Sequence, residues 1–121
     1  VHFDRLIRSS GNDPLVIFDA FYPDLKVIGF GRLGKFDYLA LIGRYGLAPI
    51  KAGSAYLKGA TGPLNGARLL FDGSANGLSS ADRLQEKLSL LDDYLNLGME
   101  VMEDALCNWQ KSPNKFVHYK G

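Results

Sequence analysis

The sequence predicts an all-α protein, and three observations carry that expectation. Apolar residues recur at three- and four-residue spacing over most of the chain. Cap residues stand where those runs begin and end. The one segment that is strand-like by residue type, "LVIFDAFY", follows directly on a helix start signal.

The elements follow in order. "HFDRLIRS" carries Phe3, Leu6 and Ile7 at helical spacing. "GNDP" reads as a start signal, with Asn12 or Asp13 as cap and Pro14 in the first turn, and "LVIFDAFY" continues as a helix that Pro23 ends. "GRLGKFDYLALIGRYGL" predicts a second strong helix closed by Gly46. Leu33, Phe36, Leu39, Ala40, Leu41 and Ile42 leave it almost no polar face, which calls for a partner subunit or further chain over its outer side. "LAPIKAGSAYL" is a connector. A short helix is expected from about Pro63 to Phe71, and "DGSANGLSS" is a loop. Ser79 and Asp82 have capping-box spacing. A stripe then runs through Leu84, Leu88, Leu91, Leu95, Gly98, Met102, Leu106 and Trp109. It predicts one long helix, or two with a kink at Gly98, ending before Pro113.

Composition bounds the function. At 121 residues the chain fits one domain, and an apolar fraction of 46% is enough for a core. A net charge of +1 excludes a globally basic nucleic-acid binder and leaves only a local surface. No apolar run approaches the roughly 18 residues of a membrane span, and no membrane partner is expected. Cys107 is the only cysteine, so no internal disulfide forms; a reducing, cytoplasmic location is the expectation. No cofactor and no metal are called for: Asp104 and Cys107 are only two potential ligands, and neither His2 nor His118 has ligand spacing to them.

The stretch with most chemistry is "LKGATGPLNGARLL". An apolar residue leads into a glycine turn and then a helix, the logic of a helix-hairpin-helix. Glycines let the backbone approach a ligand, and the helix start offers free N–H groups and the positive end of its dipole, which suits phosphate. Gly59, Thr61, Gly62 and Gly66 form the candidate cradle, with Lys58 and Arg68 as added contacts. The plainer reading is a connector whose glycines serve caps and packing. Three acids are candidate catalytic groups. Asp82 lies 20 residues after Gly62 at a helix start, which resembles the place of the catalytic aspartate in helix-hairpin-helix glycosylases; that likeness implies a stabiliser of positive charge on a sugar, and the plainer reading is a helix-capping acid. Asp37 sits between Leu33 and Leu41, as a buried ion pair or a site residue. Asp104 and Cys107 are neighbours on one helix face, which is either solvated or, with Lys111, the lining of a cleft.

Three segments in this order, "GFGRLGKFDYLALIGRYGL", "GATGPLNGAR" and "EDALCNWQKSP", resemble the α-glutamyl/putrescinyl thymine pyrophosphorylases, closest to their third clade. The resemblance covers roughly Gly29 to Pro113. It implies a helix-hairpin-helix, DNA-glycosylase-like helical domain, the C-terminal part of a larger protein. It implies an enzyme that acts on hypermodified thymine or related bases in DNA, in phage DNA modification or anti-phage defence. The rival expectation is a non-catalytic helical DNA-binding or assembly module.

Overall fold

A computed structural model describes residues 2–26, 29 and 31–118; the side chains of His2 and Phe3 lie outside the described residues. It contains six α-helices and, among the described residues, no strand. The all-α expectation is met. The chain divides into two compact units, Val1–Gly53 and Ser54–Gly121.

The first unit holds α1 (His2–Ser9), α2 (Pro14–Asp24) and α3 (Arg32–Arg44). Asp13 starts α2 as expected: its Oδ1 accepts the Leu15 N–H at 2.9 Å, and Pro14 follows with its φ preset. Pro23 does not end α2, which runs on to Asp24 and leaves helical geometry at Leu25. A proline so near the end removes only one ladder donor, and the Leu25 N–H still reaches the Phe21 carbonyl at 2.9 Å. Phe18 and Phe36 pack edge to face, with ring centroids 5.9 Å apart, and join α2 to α3. Ile17, Phe21, Leu39 and Ile50 are buried with them.

α3 closes as a Schellman motif. The Leu47 N–H bonds the Ile42 carbonyl, the Gly46 N–H bonds the Gly43 carbonyl, and Gly46 takes φ +68°. Only one side of α3 is buried, at Phe36, Leu39 and Ala40, while Leu33 and Leu41 stay exposed. Asp37 lies between those two and is exposed too, which corrects the expectation of a buried carboxylate: the face that seemed apolar is not covered.

The second unit holds α4 (Gly62–Asp72), α5 (Ala81–Leu95) and α6 (Met99–Trp109) around Leu57, Ala67, Leu84, Leu88, Met99, Met102 and Leu106. Its most extensive helix pairing is α4 on α6. Asp92 ends α5 by accepting the Leu97 and Gly98 N–H groups on Oδ1, at 2.9 and 2.8 Å. Asn96 is left-handed at φ +53°, and Gly98 stands at φ 92°, ψ 150°, a region that only glycine enters freely. The stripe therefore breaks into two helices. The break also shifts its phase: Leu95 and Trp109 are exposed, while Glu103 is buried. Ser79 is not the cap of α5. Ser80 is, with Oγ accepting the Arg83 N–H at 3.3 Å, and Ser79 instead binds Asp72 through its N–H and its hydroxyl.

Candidate functional site

The chain enters the second unit as an irregular segment, 54–57, rather than a helix. The helix that follows the expected hairpin is present as α4; none precedes the turn. The Ala55 N–H bonds Gln85 Oε1 of α5 at 3.1 Å and fixes this segment. A turn then closes from the Leu57 carbonyl to the Ala60 N–H at 3.0 Å, with Gly59 at φ +78° in its third position, where a side chain is disfavoured. Lys58 and Gly59 form the exposed corner of that turn.

Thr61 caps α4 through its backbone alone. Its carbonyl accepts the Asn65 N–H at 3.0 Å, its hydroxyl makes no cap bond, and its side chain is exposed. Pro63 carries no N–H, so the ladder-free donors of this first turn belong to Gly62 and Leu64. With the dipole of α4 behind them, they give this end a positive character.

The two glycines of α4 serve a different purpose from the glycine of the turn. Gly62 does not have a positive φ. A Cβ built on it would stand 2.7 Å from Cys107 Sγ, and one on Gly66 would stand 2.3 Å from the Leu106 carbonyl oxygen. Both glycines let the backbone of α4 lie directly on α6. Gly66 is thus held in the interior, with its N–H inside the helical ladder. Arg68 is half-buried, and its Nε is shielded from solvent without a hydrogen-bond partner.

The acids separate clearly. Asp82 is exposed in the first turn of α5, beside the end of α4 where Ser79 binds Asp72. The eleven residues of α4 put that end roughly 15 Å along the helix from Gly62. Asp37 belongs to the first unit. Asp104 is on α6, one turn before the Cys107 that touches Gly62, and it is exposed. It heads a polar chain: Asn108 Nδ2 donates to Asp104 Oδ1 at 3.0 Å, and Lys111 Nζ donates to Asn108 Oδ1 at 3.0 Å. Of the three acids chosen from sequence, Asp104 is the one on the helix that contacts the start of α4.

Two residues here were not singled out from sequence. Tyr56 holds φ +48°, rare for a bulky residue, with its N–H on Ser54 Oγ at 3.0 Å; nothing in a tyrosine signals that. Glu103 is buried, at 3% exposure, beside Asp104. In the first unit an apolar groove of about 270 Å³ is lined by Ile7, Phe21, Tyr38, Leu39, Leu47 and Ile50 among others, and contains none of the candidate catalytic or phosphate-binding residues. Among the described residues no group of three His, Cys, Asp or Glu side chains is placed to hold a metal ion, and no helix is long and apolar enough to cross a membrane.

The fold and this region define an all-α protein in which a glycine turn feeds a helix start seated on an acid-bearing helix. The chain belongs to the family alpha-glutamyl/putrescinyl thymine pyrophosphorylase clade 3, whose model matches residues 1–121. The family name denotes pyrophosphorylase chemistry at a modified thymine. No curated protein and no solved structure matches the chain.

Proposed function

We propose that the chain is a DNA-glycosylase-like module acting on a hypermodified thymine or related base in DNA, in phage DNA modification or in defence against phage. The observation that carries this reading is the turn Leu57–Ala60, exposed at Lys58 and Gly59, running into the start of α4 against the helix that bears Asp104. A DNA phosphate would take the Gly62 and Leu64 N–H groups, the Thr61 hydroxyl and the Lys58 ammonium, with Gly59 keeping the corner clear. Arg68 would add charge from behind. Gly66 would contribute only by bringing α4 onto α6. Such contacts hold the strand without reading its sequence.

The target base must leave the stack before a carboxylate can serve it. Asp104 would face the sugar and stabilise the positive charge that grows on it as the base departs. Asp82, beside the far end of α4, is less well placed for this role. The test is to incubate the full-length protein with duplexes carrying different modified pyrimidines and to look for released base. Release that falls about a hundredfold or more in Asp104→Asn, the scale of a lost electrostatic stabiliser of the transition state, is the expected result. Release that persists in Asp104→Asn would remove Asp104, and no release from any duplex would end the catalytic reading.

One observation favours a second reading, an assembly module: the outer side of α3 leaves Leu33 and Leu41 exposed, with Tyr45 and Leu47 just beyond. That surface would take a partner subunit or further chain. Light scattering decides, since a strictly monomeric full-length protein that keeps this face exposed would count against it.

A further inference from the structure

Glu103 is the one charged residue that is buried among the described residues. All other carboxylates described in the second unit are exposed or half-buried. A buried carboxylate is costly to retain, and apolar replacements of similar size are often no worse for stability. Its position gives the reason for keeping it. On α6, Glu103 shares a face with Leu106 and Cys107, three and four residues on. Those are the residues on which α4 rests: Leu106 under Gly66 and Cys107 under Gly62. Glu103 is thus the next residue along the α6 face that carries the first turns of α4. It is flanked by the buried Met99, Met102 and Leu106, and it is not without a partner there. In such surroundings a polar interaction is strong and directional, whereas methionine packing is compliant.

We infer that Glu103 is a positioning residue: it fixes the α6 face at the α4 crossing and so sets the orientation in which the start of α4 meets its ligand. The inference rests on the proposed reading for its ligand, a DNA phosphate, but the positioning itself is measurable without DNA. Cys107 is the only cysteine of the sequence, is half-buried, and lies against Gly62. Its rate of modification by a small disulfide reagent reports how often the α4–α6 contact opens. Local opening and global unfolding are separable, because only the second follows the stability of the whole fold.

The experiment compares wild type, Glu103→Gln, Glu103→Leu and, as control, Asp93→Asn on the exposed side of α5. Each is tested for urea unfolding, Cys107 modification in native buffer, and affinity for an unmodified duplex. Positioning predicts that Glu103→Gln keeps the unfolding midpoint, modifies Cys107 about tenfold faster through easier local opening, and binds DNA correspondingly more weakly; Asp93→Asn behaves as wild type. Glu103→Leu should show the same acceleration with an equal or higher midpoint. Modification that is unchanged in both variants overturns the inference. So does modification that rises only in proportion to lost global stability, the mark of an ordinary core residue. If wild type does not bind DNA yet Cys107 modification accelerates as described, the positioning stands and the DNA reading fails; the reverse pattern overturns the positioning alone.

Discussion

Gly62 and Gly66 differ in what a methyl group would strike, and the difference is measurable. At Gly66 the obstacle is a backbone carbonyl, 2.3 Å away, which moves only if α6 moves. At Gly62 it is Cys107 Sγ, 2.7 Å away, on a side chain that can rotate. Gly66→Ala is therefore expected to cost about 2–3 kcal/mol, at the upper end of overpacking effects, and Gly62→Ala distinctly less. Denaturant unfolding of the two variants checks the order, and equal costs would mean that α4 and α6 are less closely apposed. The other residue-scale prediction concerns Asp72. Its carboxyl is held below the ordinary 3.8, first by the Ser79 hydroxyl, against the opposing effect of burial, and further by the Ser79 N–H and by Lys87 and Arg83. A depressed folded-state pKa means that the ionised form is favoured by folding. The contribution is thus complete above about pH 3.8 and is lost as pH falls through the lower folded value. Melting temperatures of wild type and Asp72→Asn should differ at neutral pH and converge in acid below that point; a gap that is constant down to pH 2 would assign the effect to shape rather than charge.

Among the elements, α5 offers the sharpest test of start and stop signals. Ser79 and Ser80 are adjacent and chemically identical, yet only Ser80 caps the helix, and Ser79 ties the preceding loop to the end of α4. Ser80→Ala should lower stability by about 1 kcal/mol as a lost N-cap. Ser79→Ala should instead reduce the acid sensitivity assigned to Asp72, and a combined pH and thermal series separates the two. The helices themselves were legible because caps and periodicity are local: Asp13–Pro14, the Gly46 stop and the break at Gly98 all have a signature within a few residues. What was not legible depends on phase and partner. The stripe from Leu84 to Trp109 allows one helix or two kinked at Gly98, and its spacing carries no sign of the change of phase that Asn96 and Gly98 impose where they turn the chain. Trp109 consequently faces solvent and Glu103 the interior. The same holds for the glycines: a spacing of four is visible in "GPLNG", but whether it serves a phosphate or a crossing helix is decided by α6, more than thirty residues away.

For the whole molecule, the deciding question is whether a nearly neutral chain concentrates enough positive potential at one place to hold DNA. With a net charge of +1 there is no broad field to attract a duplex, so any affinity must come from few phosphates. The start of α4 offers one cation in the open, Lys58, and a second, Arg68, that is half-buried. Each paired phosphate releases condensed counterions, and the logarithm of the affinity falls against the logarithm of salt with a slope near −0.9 per contact on duplex DNA. Lys58→Ala should accordingly reduce the magnitude of the slope by about one and weaken binding similarly for all sequences. It should leave the unfolding transition unchanged, since the side chain is exposed. Arg68→Ala is the less clean probe, because a half-buried arginine also contributes packing and its loss should appear in stability as well as in the slope. Thr61→Val completes the series: it keeps the volume and removes the hydroxyl, so it should weaken binding while leaving the slope as it is, a neutral donor releasing no counterion. The measurement is affinity for one duplex from about 50 to 200 mM salt, the range over which such contacts are resolved, for the full-length protein and the three variants. If Lys58→Ala and Thr61→Val both bind as wild type does, the turn and the helix start are a connector, and the family's base chemistry must be anchored elsewhere in the chain.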